Sequence, residues 1–355
     1  MKVIIMGSQG VPAKYGGFET LAEYLTLLLN KKVDFTVYCS SKSYAKKLKT
    51  HNNASLVYIP LSANGIQSIP YDIISLFLAA RKSDTILILG VSGCIALPIF
   101  RLFYPKKRLL INIDGLEHQR DKWKESIRKF LKYSEKLAVK YANEVIADNK
   151  AIQEYIKTEY NKESTLIAYG GNHASKIPLE KSVKQKYSLP DVYAFKVCRI
   201  EPENNIRMIL EAFSLLTIPI VIVGNWDNSE YGKSLKEEYK NSSTIFLLDP
   251  IYEQNILDQI RSNCKLYIHG HSAGGTNPSL VEAMYLGLPV IAFNVSYNQE
   301  TTFNQAIYFS NAEELSNLVN KTKEKELKNL GNKMKEIATK EYTWETISEK
   351  YAAIF

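Results

Sequence analysis

Short, unbroken apolar runs alternate with helix-length segments along most of the chain, and no other feature limits the possible folds as tightly. From Lys2 to about Gly170 the runs are KVIIMG, DFTVYC, SLVYIP, TILILG, RLLINI, EVIA and STLIAY. They are β-rich and apolar on both faces, as strands inside a parallel sheet with crossover helices must be. The pattern predicts a doubly wound α/β domain. A second series, VYAFKVC, IPIVIVG, STIFLL, KLYIH and LPVIAF, repeats it further on. Between the two, residues 171–189 are polar and basic without periodicity and read as a linker. The expected architecture is two Rossmann-like domains, 1–175 and 190–340, facing each other across a cleft. A last helical piece, Thr343 to Phe355, spaces Trp344, Ile347, Tyr351 and Phe355 three and four residues apart, so one face should pack on a domain.

A length of 355 residues suits two domains that each bury a core, and an apolar fraction of 45% excludes a disordered chain. The formal net charge of +8 favours anionic partners: nucleic acid, acidic lipid headgroups or phosphorylated substrates. Cys39, Cys94, Cys198 and Cys264 are scattered without metal-ligand spacing, which predicts reduced thiols, no structural zinc and a cytoplasmic setting. The first strand starts at Lys2 and leaves no room for a signal peptide. One run, Thr85 to Tyr104, reaches transmembrane length, but Gly90, Gly93, Pro98 and Arg101 divide it into a buried strand, a turn and a core helix.

Four stretches hold candidate chemistry. HGHSAGGTNPSLVEAM, His269 to Met284, reads as a strand end, a glycine turn and a helix start. Asn277 can cap that helix, Pro278 suits its first position, and the free amides there would face an anion such as a diphosphate. His271, Gly274, Gly275 and Thr276 belong to the same turn, and Glu282 could accept two ribose hydroxyls. A plain β-α connection with a solvated Glu282 accounts for the same text. GSQGVPAKYGGFET, Gly7 to Thr20, lacks GxGxxG, yet the amides of Gly16 and Gly17, just before Phe18 and Glu19, could approach a second phosphate-bearing group. In RLLINIDGLEHQRDKW, Asp114, Glu117, His118 and Arg120 follow a strand and fall at the carboxyl edge of the sheet, where such folds bind ligands. Asp114 could take a proton from a sugar hydroxyl, or simply make the turn before Gly115. In VCRIEPENN, Arg199 could grip a diphosphate through two N–H groups or pair with Glu201 or Glu203.

Residues 120–141 predict a basic amphipathic helix with Trp123, Ile127, Leu131, Ala138 and Tyr141 on one side, and residues 120–140 carry a net charge of +5. Such a helix can rest on an anionic bilayer or present an ordinary solvated face. It lacks the aromatic interleaving of a nucleic-acid platform, so no nucleic acid is expected.

Taken in order, GSQGVPAKYGGFET, DGLEHQRDKW, CRIEPENN and HGHSAGGTNPSLVEAM resemble retaining glycosyltransferases of family 4, which have the GT-B fold. More narrowly they are similar to bacterial rhamnosyltransferases that build capsule and cell-wall polysaccharide. The resemblance covers essentially the whole chain and implies that helix 343–355 crosses back to the first domain. It implies that Glu282 binds the ribose and Arg199 the diphosphate, with Gly275, Thr276 and Asn277 lining the pocket and Gly16 and Gly17 approaching the phosphates. Asp114, where many relatives have histidine, becomes the leading catalytic candidate. Glu117, His118, Arg120 and Glu19 are placed on the acceptor side. Two departures stand out: Gly274 replaces a glutamate and Asn204 a lysine. The implied reaction is metal-independent transfer of a sugar, with dTDP-rhamnose the expected donor. The implied acceptor is a saccharide on a lipid diphosphate, which sets the protein at the inner face of the cell membrane. A UDP- or GDP-sugar enzyme, an epimerase, or a non-catalytic nucleotide-sugar binder remain alternatives.

Overall fold

The computed structural model describes residues 1–355 except Tyr15, Asp114, Asp121 and Lys122. It divides into two compact units, Met1–Tyr169 with Trp344–Phe355, and Gly170–Thr343.

The first unit holds β1 (Lys2–Met6), β2 (Asp34–Ser40), β3 (Thr50–His51), β4 (Ala54–Ile59), β5 (Thr85–Leu89), β6 (Arg108–Asn112), β7 (Glu144–Ala147) and β8 (Thr165–Leu166). They form one sheet in the order β3-β4-β2-β1-β5-β6-β7-β8, parallel except for the short β3–β4 pair. Every residue of β5 is buried, because β1 and β6 flank it and helices cover both faces. The order reverses between β1 and β5, and Gly7 and Gly90 follow these strands with φ of 93° and 92°, a region open to glycine. A Cβ on Gly7 would lie 2.2 Å from the Leu89 carbonyl oxygen, so the two strand ends approach each other only because that side chain is missing.

The helix Trp344–Ile354 completes this core. Trp344, Ile347 and Tyr351 are at most 1% exposed. Trp344 stacks on Tyr24 at 4.6 Å between ring centroids, and Tyr351 Oη accepts a 2.9 Å bond from Asn112 Nδ2 at the end of β6. The apolar run from Thr85 divides into β5 and the separate helix Leu97–Phe103, and no helix of the described residues is long and apolar enough to cross a membrane.

The second unit holds β9 (Ala194–Val197), β10 (Ile220–Val223), β11 (Ile245–Leu248), β12 (Leu266–His269), β13 (Val290–Phe293) and β14 (Ile307–Phe309), parallel in the order β11-β10-β9-β12-β13-β14. Here the order reverses between β9 and β12, so the crevice such sheets offer to ligands lies beyond the carboxyl ends of these two strands. Residues 171–189 are not a loose linker. They contain the helix Lys181–Lys186 and are fastened to the helix Gln254–Ser262: the amides of Ser175, Ile177 and Glu180 donate to Asp258 Oδ2 at 3.1 Å, Ser262 Oγ at 3.2 Å and Gln259 Oε1 at 3.0 Å. Side chains thus satisfy backbone donors that no sheet or helix reaches.

Candidate functional site in the second unit

Beyond β9 the chain turns outward at Arg199, which is exposed and has no ion-pair partner among the described residues. Asn204 is 4% exposed, and its Nδ2 donates to the Arg199 carbonyl at 2.5 Å, shaping the turn and bringing no charge to it. Asn205 has φ of 51°, and its Nδ2 donates to the Gly270 carbonyl at 2.8 Å. Ser272 donates through N at 2.9 Å and Oγ at 3.0 Å to the Glu203 carbonyl. These bonds clamp the turns after β9 and β12 side by side, where the strand order reverses.

The turn after β12 leads into the helix Pro278–Tyr285. His271 stacks on His269 at 4.4 Å, and its carbonyl accepts from Asn298 Nδ2 at 2.9 Å. Gly274 has φ of 127° with open space where a Cβ would point, so a side chain there would be strained but not crowded. Thr276 is buried, and Gly275 and Gly274 are half-buried. Asn277 caps the helix: its Oδ1 accepts from Ser279 N at 3.1 Å and Ser279 Oγ at 2.7 Å, with Pro278 in the first turn. The cap takes only part of the donor set of this helix start, which leaves positive backbone dipole directed at the glycine turn.

Glu282 sits one turn in, and its carboxylate is held from two sides. Arg261 Nη1 donates to Oε2, and His173 Nε2 lies 2.8 Å from Oε1. Arg261 is 2% exposed and is itself fixed by Asp258, whose Oδ1 accepts from Nε at 2.7 Å. Burial alone would raise the Glu282 pKa; the Arg261 charge, then His173, overcomes it and holds the carboxyl at about 2. A carboxylate has about four acceptor positions, so two remain for hydroxyl donors after Arg261 and His173. No motif in the sequence singles out Arg261, Asp258 or His173. The i,i+3 spacing of Asp258 and Arg261 is the available signal, whereas His173 lies in a stretch without periodicity.

In the first unit, Gly16 is the N-terminal boundary of the helix Gly17–Leu28 with φ of 128°. A Cβ on Gly16 would fall 2.0 Å from Glu19 Oε2, and Glu19 Oε1 accepts from Gln9 N at 2.7 Å, so Glu19 shapes the loop after β1. Asp114 lies outside the described residues. The next segment is strained at Leu116, whose φ of 38° costs a side-chain-bearing residue about 1–2 kcal/mol. Glu117 is held by Arg120 Nε at 2.8 Å and Trp123 Nε1 at 3.1 Å. His118 Nδ1 lies 3.0 Å from Glu135 Oε2, while Glu135 Oε1 accepts from Tyr155 at 2.7 Å and Tyr160 at 2.6 Å. Burial would raise the Glu135 pKa, but His118, Tyr160 and Tyr155 donate to the carboxylate and hold it below its ordinary value. Glu117, His118 and Arg120 therefore belong to one braced turn of the first unit.

The basic helix begins at Glu125 and runs to Tyr141. Leu131 and Ala138 of its expected apolar side are buried inside the unit, and Arg128 Nε is spent on the His118 carbonyl at 2.8 Å. Lys124, Lys129, Lys136 and Lys140 are exposed.

Two doubly wound parallel sheets, with a glycine turn and capped helix at the second switch point, make this a GT-B fold. Residues 180–341 match the family described as glycosyl transferases group 1, and residues 1–172 match a domain of unknown function, DUF1972. The serotype-specific mannosyltransferase WbdA of Escherichia coli is 27% identical over 124 residues, covering 33% of this chain; the chain spans only 15% of that relative's length. Similar solved structures include sucrose-phosphate synthase from Thermosynechococcus elongatus, at 15% identity and a TM-score of 0.80 over 99% of this chain and 98% of the other. Anabaena HepE, in complex with UDP-glucose, aligns at 17% identity and a TM-score of 0.74 over 100% of this chain and 99% of the other.

Proposed function

We propose that the protein is a retaining glycosyltransferase whose second unit binds a nucleoside-diphosphate sugar. The observation that carries this reading is Glu282, kept ionised by a buried arginine one turn into a capped helix, on the same unit as an exposed Arg199 that has no ion pair among the described residues. Glu282 accepts the ribose hydroxyls; Arg199 and the amides at the start of the helix Pro278–Tyr285 take the negative charge that grows on the diphosphate. The bond between the anomeric carbon and the diphosphate oxygen breaks with its electron pair leaving on the diphosphate. The acceptor hydroxyl forms the new bond on the same face and gives up its proton. Asp114 is the proposed group that orients this hydroxyl or takes its proton. The reading uses no metal.

L-Rhamnose from dTDP-rhamnose is the donor we favour, since Gly274 and Asn204 bring no charged side chain to their turns, which suits a sugar with few hydroxyls. A GDP- or UDP-sugar is the second reading, favoured by the similarity to the mannosyltransferase WbdA. A lipid-diphosphate saccharide fits as acceptor because the first unit exposes Leu102 by 80%, Phe103 by 70% and Ile99 by 56% on the helix Leu97–Phe103, which packs against the lysine-bearing helix Glu125–Tyr141. The test is a release assay that pairs a panel of nucleotide sugars with membrane extract. Release of dTDP only when extract is present supports the favoured donor; release of UDP or GDP supports the second; release without acceptor argues for a hydrolase or epimerase.

A further inference from the structure

Lys196 occupies the middle of β9, between Phe195 and Val197 and paired in register with Ile222 of β10. It is 0% exposed, and the face of the sheet it shares with Ala194, Ile222 and Ile268 is otherwise apolar core. Nζ has no hydrogen-bond partner and no ion pair among the described residues. A buried ammonium without counter-charge is heavily disfavoured, so a side chain that needed only to fill space here would be apolar.

The direction of the side chain suggests what the charge is for. A Cβ on Gly270 would meet Lys196 Nζ at 3.3 Å and the Asn204 carbonyl oxygen at 2.4 Å. The amine therefore ends directly beneath the Gly270 backbone, at the carboxyl end of β12 and at the reversal of strand order. His269, the residue before, is also 0% exposed, and both its ring nitrogens lack a partner among the described residues. Its ring stacks between Tyr267 and His271 on the other face of the sheet, so Lys196 alone ends beneath the Gly270 peptide. Burial pushes Lys196 below its ordinary range; burial, then the Lys196 charge, pushes His269 well down.

We infer that Lys196 is a buried counter-charge for the diphosphate of the nucleotide sugar, acting through the Gly270 peptide on an anion held above it. This rests on the reading of the second unit as a nucleotide-sugar site. Lys196 is a positioning residue in this scheme, since its amine is sealed from solvent. It supplies from within the sheet a charge that Asn204 cannot, its amide being committed to the Arg199 carbonyl.

The experiment compares the full chain with Lys196→Met by calorimetry with dTDP, UDP and GDP, by ligand-observed NMR with the matching nucleosides, and by thermal melts without ligand. Methionine keeps the length and removes the charge. The variant should melt at the same or a higher temperature, bind the preferred diphosphate at least tenfold more weakly, and bind the nucleoside as the parent does. Equal diphosphate affinity overturns the inference and leaves the site reading intact. Parallel loss of nucleoside and diphosphate binding also overturns it, marking Lys196 as structural. If the parent binds no nucleoside diphosphate, the site reading itself fails. Should Lys196→Met not fold, Lys196→Gln is judged by the same ratio, and a failure of both to fold overturns the inference by making the amine indispensable to the core.

Discussion

Glu282 shows how a single carboxylate can be held in one state by its neighbours. Its two oxygens meet Arg261 and His173, and Arg261 is in turn fixed by Asp258. Glu282→Ala should weaken nucleoside-diphosphate binding at least tenfold by calorimetry, and unchanged affinity would remove the ribose role. Arg261→Met should be costlier to the fold, because it strands two carboxylates, one of them 2% exposed; breaking such a pair costs about 3–5 kcal/mol, readable in urea denaturation. The acid side follows from the same residues. The folded-state pKa of Glu282 is depressed from 4.5 to about 2, so its contribution to stability is complete above the unfolded value and is lost as pH falls from about 4.5 towards 2. Melts across that window should show the parent losing more stability than Glu282→Gln. Of these partnerships only the i,i+3 spacing of Asp258 and Arg261 left a trace in the sequence. Glu282 could be picked out by its place after a glycine turn, but Arg261 and His173 reach it from segments 21 and 109 residues away.

At the scale of elements, continuous apolar text translated directly into buried strands: TILIL became β5, IVIV became β10. Such runs are legible because a strand covered on both faces has no use for polar residues. Residues 171–189 were not, since their order comes from side chains of another helix that accept their backbone amides, which leaves no periodic trace. The basic helix was legible in its charge and less so in its packing: Leu131 and Ala138 of its apolar side are buried inside the unit, while Leu102 and Phe103 of the neighbouring helix Leu97–Phe103 are exposed. Leu102→Ser with Phe103→Ser should therefore reduce sedimentation with vesicles of anionic lipid, and equal sedimentation of parent and variant would exclude this face. The cap at Asn277 makes a smaller demand: Asn277→Ala should cost about 1 kcal/mol in stability, measurable by thermal melting.

Across the whole molecule the fold class was legible from strand and helix alternation, whereas the braces between remote segments were not. Asp114 rests on the sequence alone, and Asp114→Asn should abolish transfer while leaving dTDP binding intact. Removing Trp344–Phe355 should lower the melting temperature of the first unit, since Trp344, Ile347 and Tyr351 are part of its core.

That borrowed helix also bears on how the chain comes into being. A ribosome delivers the first unit's strands early, yet Tyr24 and Asn112 must wait for Trp344 and Tyr351, which are translated only after the whole second unit. Until that segment emerges, the stacking place on Tyr24 stays empty and the Asn112 amide lacks the Tyr351 hydroxyl, so the earlier-made sheet is closed by the later-made helix.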